Sequence, residues 1–365
     1  MKISCLTFHD SSNYGTVMQA YALQTIVTRM GHDYEIINYS NAEKRKHDTL
    51  LGRNQEQSLP DYLYKLANLP QNYYKQRLFD RFRQEFCRIS PRFYTPDALC
   101  EYAAGRDAVL VGSDQVWNYE MIRHDPAYFL KFTEPNKRVA YAASIGFSKL
   151  PEPEQEFYRE MLSDFDHIAV REASAAQMIH DIIGKSAQVV LDPTLLLTRD
   201  DWSEIAAEPP TKPYIFAYIL DHSAKAQAFL KKLQKQTGLP IRYVSRGIVS
   251  ALRDGATRVP SPQEWLAQIM HAEYVVTNSF HGTAFSTNFH KTFFTIVEND
   301  ATQSRQKDFL HAAGLESRLN PSYPDEIPLD IPNFAQADAY LQQKRTEAVA
   351  YLAASFDAVR RDQMT

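Results

Sequence analysis

A chain of 365 residues is long for a single hydrophobic core and suits two domains of ordinary size. Its 44% apolar and 23% charged residues are globular proportions, and a net charge of -4 excludes an overall basic field that would recruit nucleic acid. The three cysteines, Cys5, Cys87 and Cys100, are odd in number and widely spaced, which argues against a disulfide framework and against a zinc site and fits a reducing cytoplasm.

Met1 to Phe8 carries one positive charge and no long apolar core, unlike a signal peptide. No segment approaches the roughly 18 uninterrupted apolar residues of a membrane span, so a soluble protein is expected. Ile3 to Phe8 reads as a buried strand. After the polar turn His9 to Gly15 a helix follows, with Leu23, Ile26, Val27 and Met30 at helical spacing, and Tyr34 to Tyr39 is the next strand. Such a β-α-β unit crosses over right-handed and builds a parallel sheet. The turn before the helix, with Asn13, Tyr14 and Gly15, lacks a Gly-x-Gly-x-x-Gly fingerprint and reads either as a substrate loop or as an ordinary helix cap.

From about 41 to 100 the pattern turns basic and aromatic, with Tyr74, Leu78, Phe82 and Phe86 every four residues and Lys75, Arg77, Arg81, Arg83 and Arg88 around them. A basic amphipathic helix of this kind can lie on a membrane surface, although such a stripe is more often core beneath a solvated face. Ala108 to Val111 is a strand that runs into Gly112-Ser113-Asp114-Gln115-Val116-Trp117-Asn118. Val139 to Ala143 delivers Ser144-Ile145-Gly146, Ile168 to Val170 delivers Arg171-Glu172, and Gln188 to Leu191 ends in Asp192-Pro193-Thr194. Each strand hands a polar group to the same edge, as a doubly wound sheet does when it assembles a ligand crevice.

A linker-like stretch follows between Leu195 and Pro213, and then a second α/β pattern begins. It has strands at Tyr214 to Leu220, Ile241 to Val244, Tyr274 to Val276 and Thr292 to Ile296, with helices between them and another helix from Gln303 to Ala313. Behind the Tyr274 strand stands Thr277-Asn278-Ser279-Phe280-His281-Gly282-Thr283, a tight turn opening a helix, where strand ends and helix N-termini favour an anion. Gln336 to Arg361 is a long helix with no strand to feed, expected to pack back. The expected units are residues 1-200, 201-330 and a helical segment 331-365, with no metal site.

In this order the motifs Thr7-Phe8-His9, Asn13-Tyr14-Gly15, Gln19 to Leu23, Val111 to Asn118, Ala142 to Gly146, Val170-Arg171-Glu172, Leu191 to Thr194, Asn278 to Thr283, Ser304-Arg305, Gly314-Leu315 and Arg318 span nearly the whole chain. The ordered set resembles the polysaccharide pyruvyl transferase family. That resemblance implies two Rossmann-like domains facing a cleft, similar to GT-B glycosyltransferases. It also implies transfer of pyruvate from phosphoenolpyruvate, a co-substrate rather than a cofactor, onto two hydroxyls of a sugar in a polysaccharide or lipid-linked oligosaccharide, with release of phosphate. Peripheral contact with the inner membrane face would accompany a lipid-linked acceptor.

For the reaction the resemblance implies, His281 is the candidate acid or base, with a structural capping histidine as the alternative, and Asp114 is a candidate base or sugar ligand, or else a cap of the helix that follows it. Donor binding would fall to Arg171, Arg305 and Arg246 with Asn278, Ser279, Gly282 and Thr283, because a carboxylate and a phosphate call for cationic forks and backbone donors, with a surface or structural ion pair as the alternative for each arginine. Acceptor binding would fall to Asn13, Tyr14, Gly15, Ser113, Gln115, Trp117 and Asn118, through hydrogen bonds and stacking. The chain departs from the family pattern at one point, with Ser279-Phe280-His281 where Arg-Leu-His is usual. A nucleotide-sugar-dependent glycosyltransferase and a catalytically silent binding protein on the same scaffold are the alternative readings.

Overall fold

The computed structural model describes residues 1–40, 66–220, 223–244, 259–298, 300–323 and 325–363, with only the backbone of 300–304. The chain divides into two compact units. The first takes Met1–Tyr62, Asp80–Leu196 and Lys344–Thr365, and the second Leu63–Phe79 and Leu197–Gln343.

In chain order the first unit begins with β1 (Lys2–Leu6), α1 (Tyr14–Arg29) and β2 (Asp33–Tyr39). Helix α2 (Leu69–Phe86) carries the chain from the second unit back to the first and leads to β3 (Ile89–Phe93), α3 (Pro96–Ala104), β4 (Ala108–Val111) and the short α4 (Tyr119–Ile122). Then come β5 (Arg138–Ala143), α5 (Glu152–Leu162), β6 (His167–Val170), α6 (Ala173–Ile183) and β7 (Gln188–Val189). All seven strands are parallel, in the order β3-β2-β1-β4-β5-β6-β7. Strands β4 and β5 are buried at every position, which is why the sequence shows them as unbroken apolar runs rather than alternations.

The second unit holds α7 (Arg199–Ser203), β8 (Ile215–Tyr218), α8 (Ala224–Thr237), β9 (Ile241–Tyr243), α9 (Pro262–His271), β10 (Tyr274–Thr277), α10 (Phe280–Asn288), β11 (Thr292–Thr295) and α11 (Asp300–Ala312). Its four strands are also parallel, in the order β11-β10-β8-β9.

In both sheets the strand order reverses at the first strand. The chain steps outward one way from β1 to β2 and then returns to β1's other side at β4; it does the same around β8, with β9 on one side and β10 on the other. At such a reversal, outside the carboxyl ends of the flanking strands, an open α/β sheet can admit a ligand. These two places are the ends of β1 and β4, and the ends of β8 and β10.

The stretch 41–100 is not wholly a helical insertion. Ile89–Phe93 pairs with β2 as an edge strand, and Pro96–Ala104 is a helix capped by Thr95. Pro91 conceals the strand in sequence, because a proline reads as a breaker, yet an edge strand tolerates it. The ladder shifts register there, and the Asn38 N–H donates to Ser90 Oγ at 3.0 Å instead of to a strand carbonyl.

The last helix, α12 (Ala335–Asp362), belongs to the second unit up to Gln343 and to the first beyond it. Within the first unit it buries Ala348, Leu352, Ser355, Phe356 and Val359 along one helical stripe. Arg345 Nε donates to Leu195 O at 2.7 Å, Tyr351 OH to Ala140 O at 2.9 Å, and the Phe356 ring meets His32 edge-on at 5.0 Å. Replacing Phe356, 1% exposed, with Ala removes a buried aromatic and should lower stability by about 3–5 kcal/mol, read as a reduced urea midpoint. Tyr351→Phe loses one hydrogen bond and should cost about 1 kcal/mol on the same scale.

Candidate active site at the carboxyl edges of the two sheets

At the first reversal, β1 and β4 are joined past their ends by side chains. Thr7 Oγ1 donates to Ser113 O at 2.7 Å and accepts from Gln19 Nε2 at 3.0 Å. That same amide reaches Phe8 O and Thr16 O, both at 3.0 Å, so Gln19 pins the β1 loop to the first turn of α1. The side chain of Asn13 caps α1 by accepting from Thr16 N, and Tyr14 is buried. Asn13 thus acts as the helix cap, and Tyr14 belongs to the core of this unit rather than to a ligand surface. Gly15 lies buried in the first turn of α1.

Asp114 stands where β4 ends, with a φ of +81°, a region that side chains other than glycine seldom occupy. Its Oδ2 accepts from Thr16 Oγ1 at 2.7 Å and its Oδ1 from Gln115 N at 2.9 Å. Its carbonyl accepts from Ser144 N at 3.0 Å, and one residue before the paired Ala143 the β5 backbone also enters positive φ, at Ala142 with +53°. Two such residues on adjacent strand ends mark a conformation imposed by the surroundings, of the kind that gathers at functional sites.

Beside Asp114 lies a buried ionic cluster. Arg171 Nη1 donates to Asp192 Oδ2 at 2.9 Å and its Nε to Glu172 Oε1 at 3.1 Å, with the arginine side chain 4% exposed. Asp192 also accepts from Ser113 Oγ, Thr194 N and Thr194 Oγ1, and Glu172 from Ser144 Oγ. Burial by itself would lower the Arg171 pKa, but the Glu172, Asp192 and Asp114 carboxylates together outweigh it and hold the guanidinium firmly charged. The expectation that Arg171 grips a donor anion does not fit this geometry. Its charge is spent on two carboxylates, with a third nearby, so this edge is anionic and suits hydroxyl groups better than a phosphate.

Trp117 also departs from expectation. It is 0% exposed, stacked on Phe129 at 5.7 Å, with Nε1 donating to Tyr128 O at 3.0 Å, so it is a core residue and cannot stack on an acceptor. Asn118 caps α4 by accepting from Glu120 N and Met121 N, and its amide donates to Gln115 Oε1 at 2.8 Å. Ser113 is buried, whereas Gln115 and Asp114 remain partly exposed.

At the second reversal, Thr277 Oγ1 donates to Tyr218 O at 2.7 Å and accepts from Ser279 N at 3.0 Å, closing the end of β10 onto β8. Ser279 caps α10, its hydroxyl accepting from Gly282 N. Gly282 lies so close to Thr277 that an added Cβ would strike Oγ1 and stand 2.9 Å from the threonine Cβ. Glycine is therefore needed to bring the helix start against the strand end. Thr283 Oγ1 lies 2.8 Å from Thr295 Oγ1 and fixes the same turn to β11. His281 thus occupies the first turn of α10, partly exposed, at an N-terminus whose dipole favours negative charge.

Asn278 Oδ1 accepts from Leu220 N at 2.6 Å, and its carbonyl from the buried Gln306 Nε2 at 3.3 Å. Gln306 thereby ties α11 to the histidine turn, and Arg305 is the residue before it, partly buried. The neighbouring N-terminus of α8 is already occupied, because Glu298 Oε1 accepts from Ser223 Oγ at 2.6 Å and Lys225 N at 3.1 Å. Arg246 lies outside the described residues. Thr16, Gln19, Glu172 and Gln306 were given no role from sequence, although Gln19 and Glu172 lie within the quoted motifs. Glu172 adjoins Arg171, which was a usable signal, and Gln19 bonds within its own β1–α1 loop, but Thr16 and Gln306 declare themselves through partners distant in the chain. Among the described residues, no three His, Cys, Asp or Glu side chains are grouped to hold a metal ion, and no helix is long and apolar enough to cross a membrane.

Two parallel sheets, each reversing its strand order at its first strand, define an α/β protein with a GT-B-like fold. A structure of a UDP-N-acetylglucosamine 2-epimerase from Listeria monocytogenes, so described, matches with a TM-score of 0.50 and 11% identity over 100% of this chain and 94% of that one. A Thermobaculum terrenum O-GlcNAc transferase mutant gives 0.47 at 12% identity, covering 99% and 69%. Escherichia coli heptosyltransferase WaaC with ADP-2-deoxy-2-fluoro heptose gives 0.39 at 10%, covering 94% and 99%. At these identities the likeness is one of fold, and the argument for it rests on the Listeria structure. Among curated protein sequences none matches the chain. The model of the polysaccharide pyruvyl transferase family matches residues 13–300, most of the length, and the protein belongs to that family. The family consists of transferases that pyruvylate polysaccharide sugars.

Breaking the ionic cluster at one partner should be far worse than altering its surface. Asp192→Ala leaves Arg171 buried with one carboxylate fewer and should cost about 3–5 kcal/mol, whereas exchanging both Arg171 and Asp192 for apolar residues of similar size should recover much of that loss in denaturant titrations.

Proposed function

We propose that the protein transfers the pyruvyl group of phosphoenolpyruvate to two hydroxyls of a sugar in a polysaccharide or lipid-linked oligosaccharide precursor, forming a cyclic ketal and releasing phosphate. The family match over residues 13–300 carries this reading. The histidine at the start of α10 supports it, because that helix N-terminus is an anion site on the unit that keeps a partly buried arginine, Arg305, on the following helix. Phosphoenolpyruvate is a cytoplasmic metabolite, so the reaction belongs in the cytoplasm. A lipid-linked acceptor would bring the protein to the inner membrane face.

The reaction needs a proton delivered to the methylene carbon of the enol phosphate, which becomes the methyl group and leaves a cationic centre at the neighbouring carbon. One sugar hydroxyl adds there and loses its proton, phosphate departs with its bonding pair, and a second hydroxyl adds and loses its proton. Two protons are thus released, one balancing the methyl group and one the phosphate. His281 is assigned the proton delivery and support of the leaving phosphate, and Asp114 the removal of a hydroxyl proton. Asn278, Ser279, Gly282 and Thr283 shape the donor turn, Arg305 and Arg246 supply its cations, and Arg171 is a positioning residue that holds the acceptor edge in shape.

The test is incubation with carbon-13-labelled phosphoenolpyruvate and a set of glycosides, following phosphate release and the gain of one pyruvylidene group by mass spectrometry. His281→Asn should slow the transfer by about 10²–10⁴-fold with an unchanged melting temperature. Binding of a nucleotide sugar without phosphate release from any acceptor would instead favour a glycosyltransferase, and equal activity in His281→Asn would overturn the role given to the histidine.

A further inference from the structure

Trp117 turns into the core, yet two aromatic rings beside it do not. Tyr119 opens α4 just past the end of β4, and Phe147 follows the Ser144-Ile145-Gly146 turn just past the end of β5. Their rings stack at 5.1 Å with an interplanar angle of 22°. Both pack against the hydrophobic core from one side and remain partly exposed on the other. The exposed His124 ring continues the array at 5.7 Å from Tyr119, held by Glu154 Oε2 at 2.6 Å from its Nε2.

The stack is built rather than incidental. Gly146 has a φ of +79°, and a Cβ there would come within 2.7 Å of both Asn118 Nδ2 and Gln115 Oε1. Only glycine allows the β5 turn to close onto the hydrogen-bonded Gln115–Asn118 pair, and that closure places Phe147 against Tyr119. Trp117 N donating to Ser144 O at 3.1 Å clamps the same two loops one residue earlier. The rings therefore sit on the two loops that also carry Asp114 and Ser144.

We propose that Phe147, backed by the stacked Tyr119 ring, forms a stacking platform for a pyranose ring of the acceptor. It rests on the acceptor being a sugar, as under Proposed function. A pyranose presents one apolar face of C–H bonds, which suits the negative face of an aromatic ring, and a rim of hydroxyls, which suits partly exposed Gln115 and Asp114 alongside. The charge there is mixed: Asp114 and Glu120 stand with Arg123 and Lys149 on the same loops, Glu172 is paired with Arg171 and Glu154 with His124, so a neutral ring with hydroxyls suits them better than a polyanion.

The platform is tested with methyl β-galactopyranoside and methyl N-acetyl-β-mannosaminide as probes and inorganic phosphate as control. In wild-type protein labelled with ring carbon-13 tyrosine and phenylalanine, the Tyr119 and Phe147 resonances should shift with at least one sugar and not with phosphate. Saturation-transfer spectra should show the C–H protons of one sugar face in contact. Phe147→Leu and Tyr119→Leu should weaken binding by about tenfold, while Phe147→Trp and Tyr119→Phe should retain it. Unmoved ring resonances with both sugars would overturn the platform, as would Leu variants that melt normally and bind like the wild type. If the sugars shift the rings but no phosphate is released from phosphoenolpyruvate, the donor assignment fails and the platform stands.

Discussion

A buried arginine held between two carboxylates organises the carboxyl edge of the first sheet. Withdrawing Arg171, Asp192 and Glu172 from water is expensive, and beside the attraction between them the carboxylates gain hydrogen bonds from Ser113, Thr194 and Ser144 that offset the cost. Those partners come from four strand ends. Ser113 follows β4, Ser144 follows β5, Arg171 and Glu172 follow β6, and Asp192 follows β7. The cluster therefore fixes the relative height of the loops. Asp114, one residue beyond Ser113 and joined to Ser144 through its carbonyl, inherits its unusual backbone from that framework.

The second unit solves a different electrostatic problem with the same sheet logic. Its carboxyl edge has helix N-termini in place of a carboxylate cluster, and Glu298 already satisfies one of them. The turn of α10 is closed by hydroxyls, from Thr277, Ser279 and Thr283, which hold it without adding charge. One unit is thus anionic at its edge and the other keeps a favourable place for an anion. Under the proposed reading that division assigns hydroxyl activation to the first and phosphate to the second, each in the environment that suits its charge.

The strands were legible because parallel sheets bury both faces, so Ala108 to Val111 or Tyr274 to Val276 could hardly be anything else. Their polar termini were legible as candidates for the same reason. Orientation was not. Trp117 and Tyr119 stand two residues apart after one strand, and nothing in sequence tells which ring turns inward; the answer depends on Phe129 and Tyr128, supplied by a later turn. Arg171 posed the same difficulty in charge: Asp192 is 21 positions away, and an arginine at a strand end looks alike whether it awaits a ligand or is already paired. Strand β3 failed for a local reason, since Pro91 suppresses the strand signal and only its place at the sheet edge makes it acceptable.

Position 279 is a serine in this chain. An arginine at that position, usual in the family pattern, would bring a cation to the donor turn but could not accept a hydrogen bond from the helix. Ser279 does accept one, from Gly282 N, which leaves the turn capped and the helix start pressed against Thr277. The exchange trades a long-range charge for short-range order. Under the proposed reading a donor anion at this turn depends on the helix dipole, on His281 and on the cation of the next helix, and Gln306 links that helix to the Asn278 carbonyl. Arg305 adjoins Gln306, so the bond that ties its helix to the histidine turn also sets the place of its backbone.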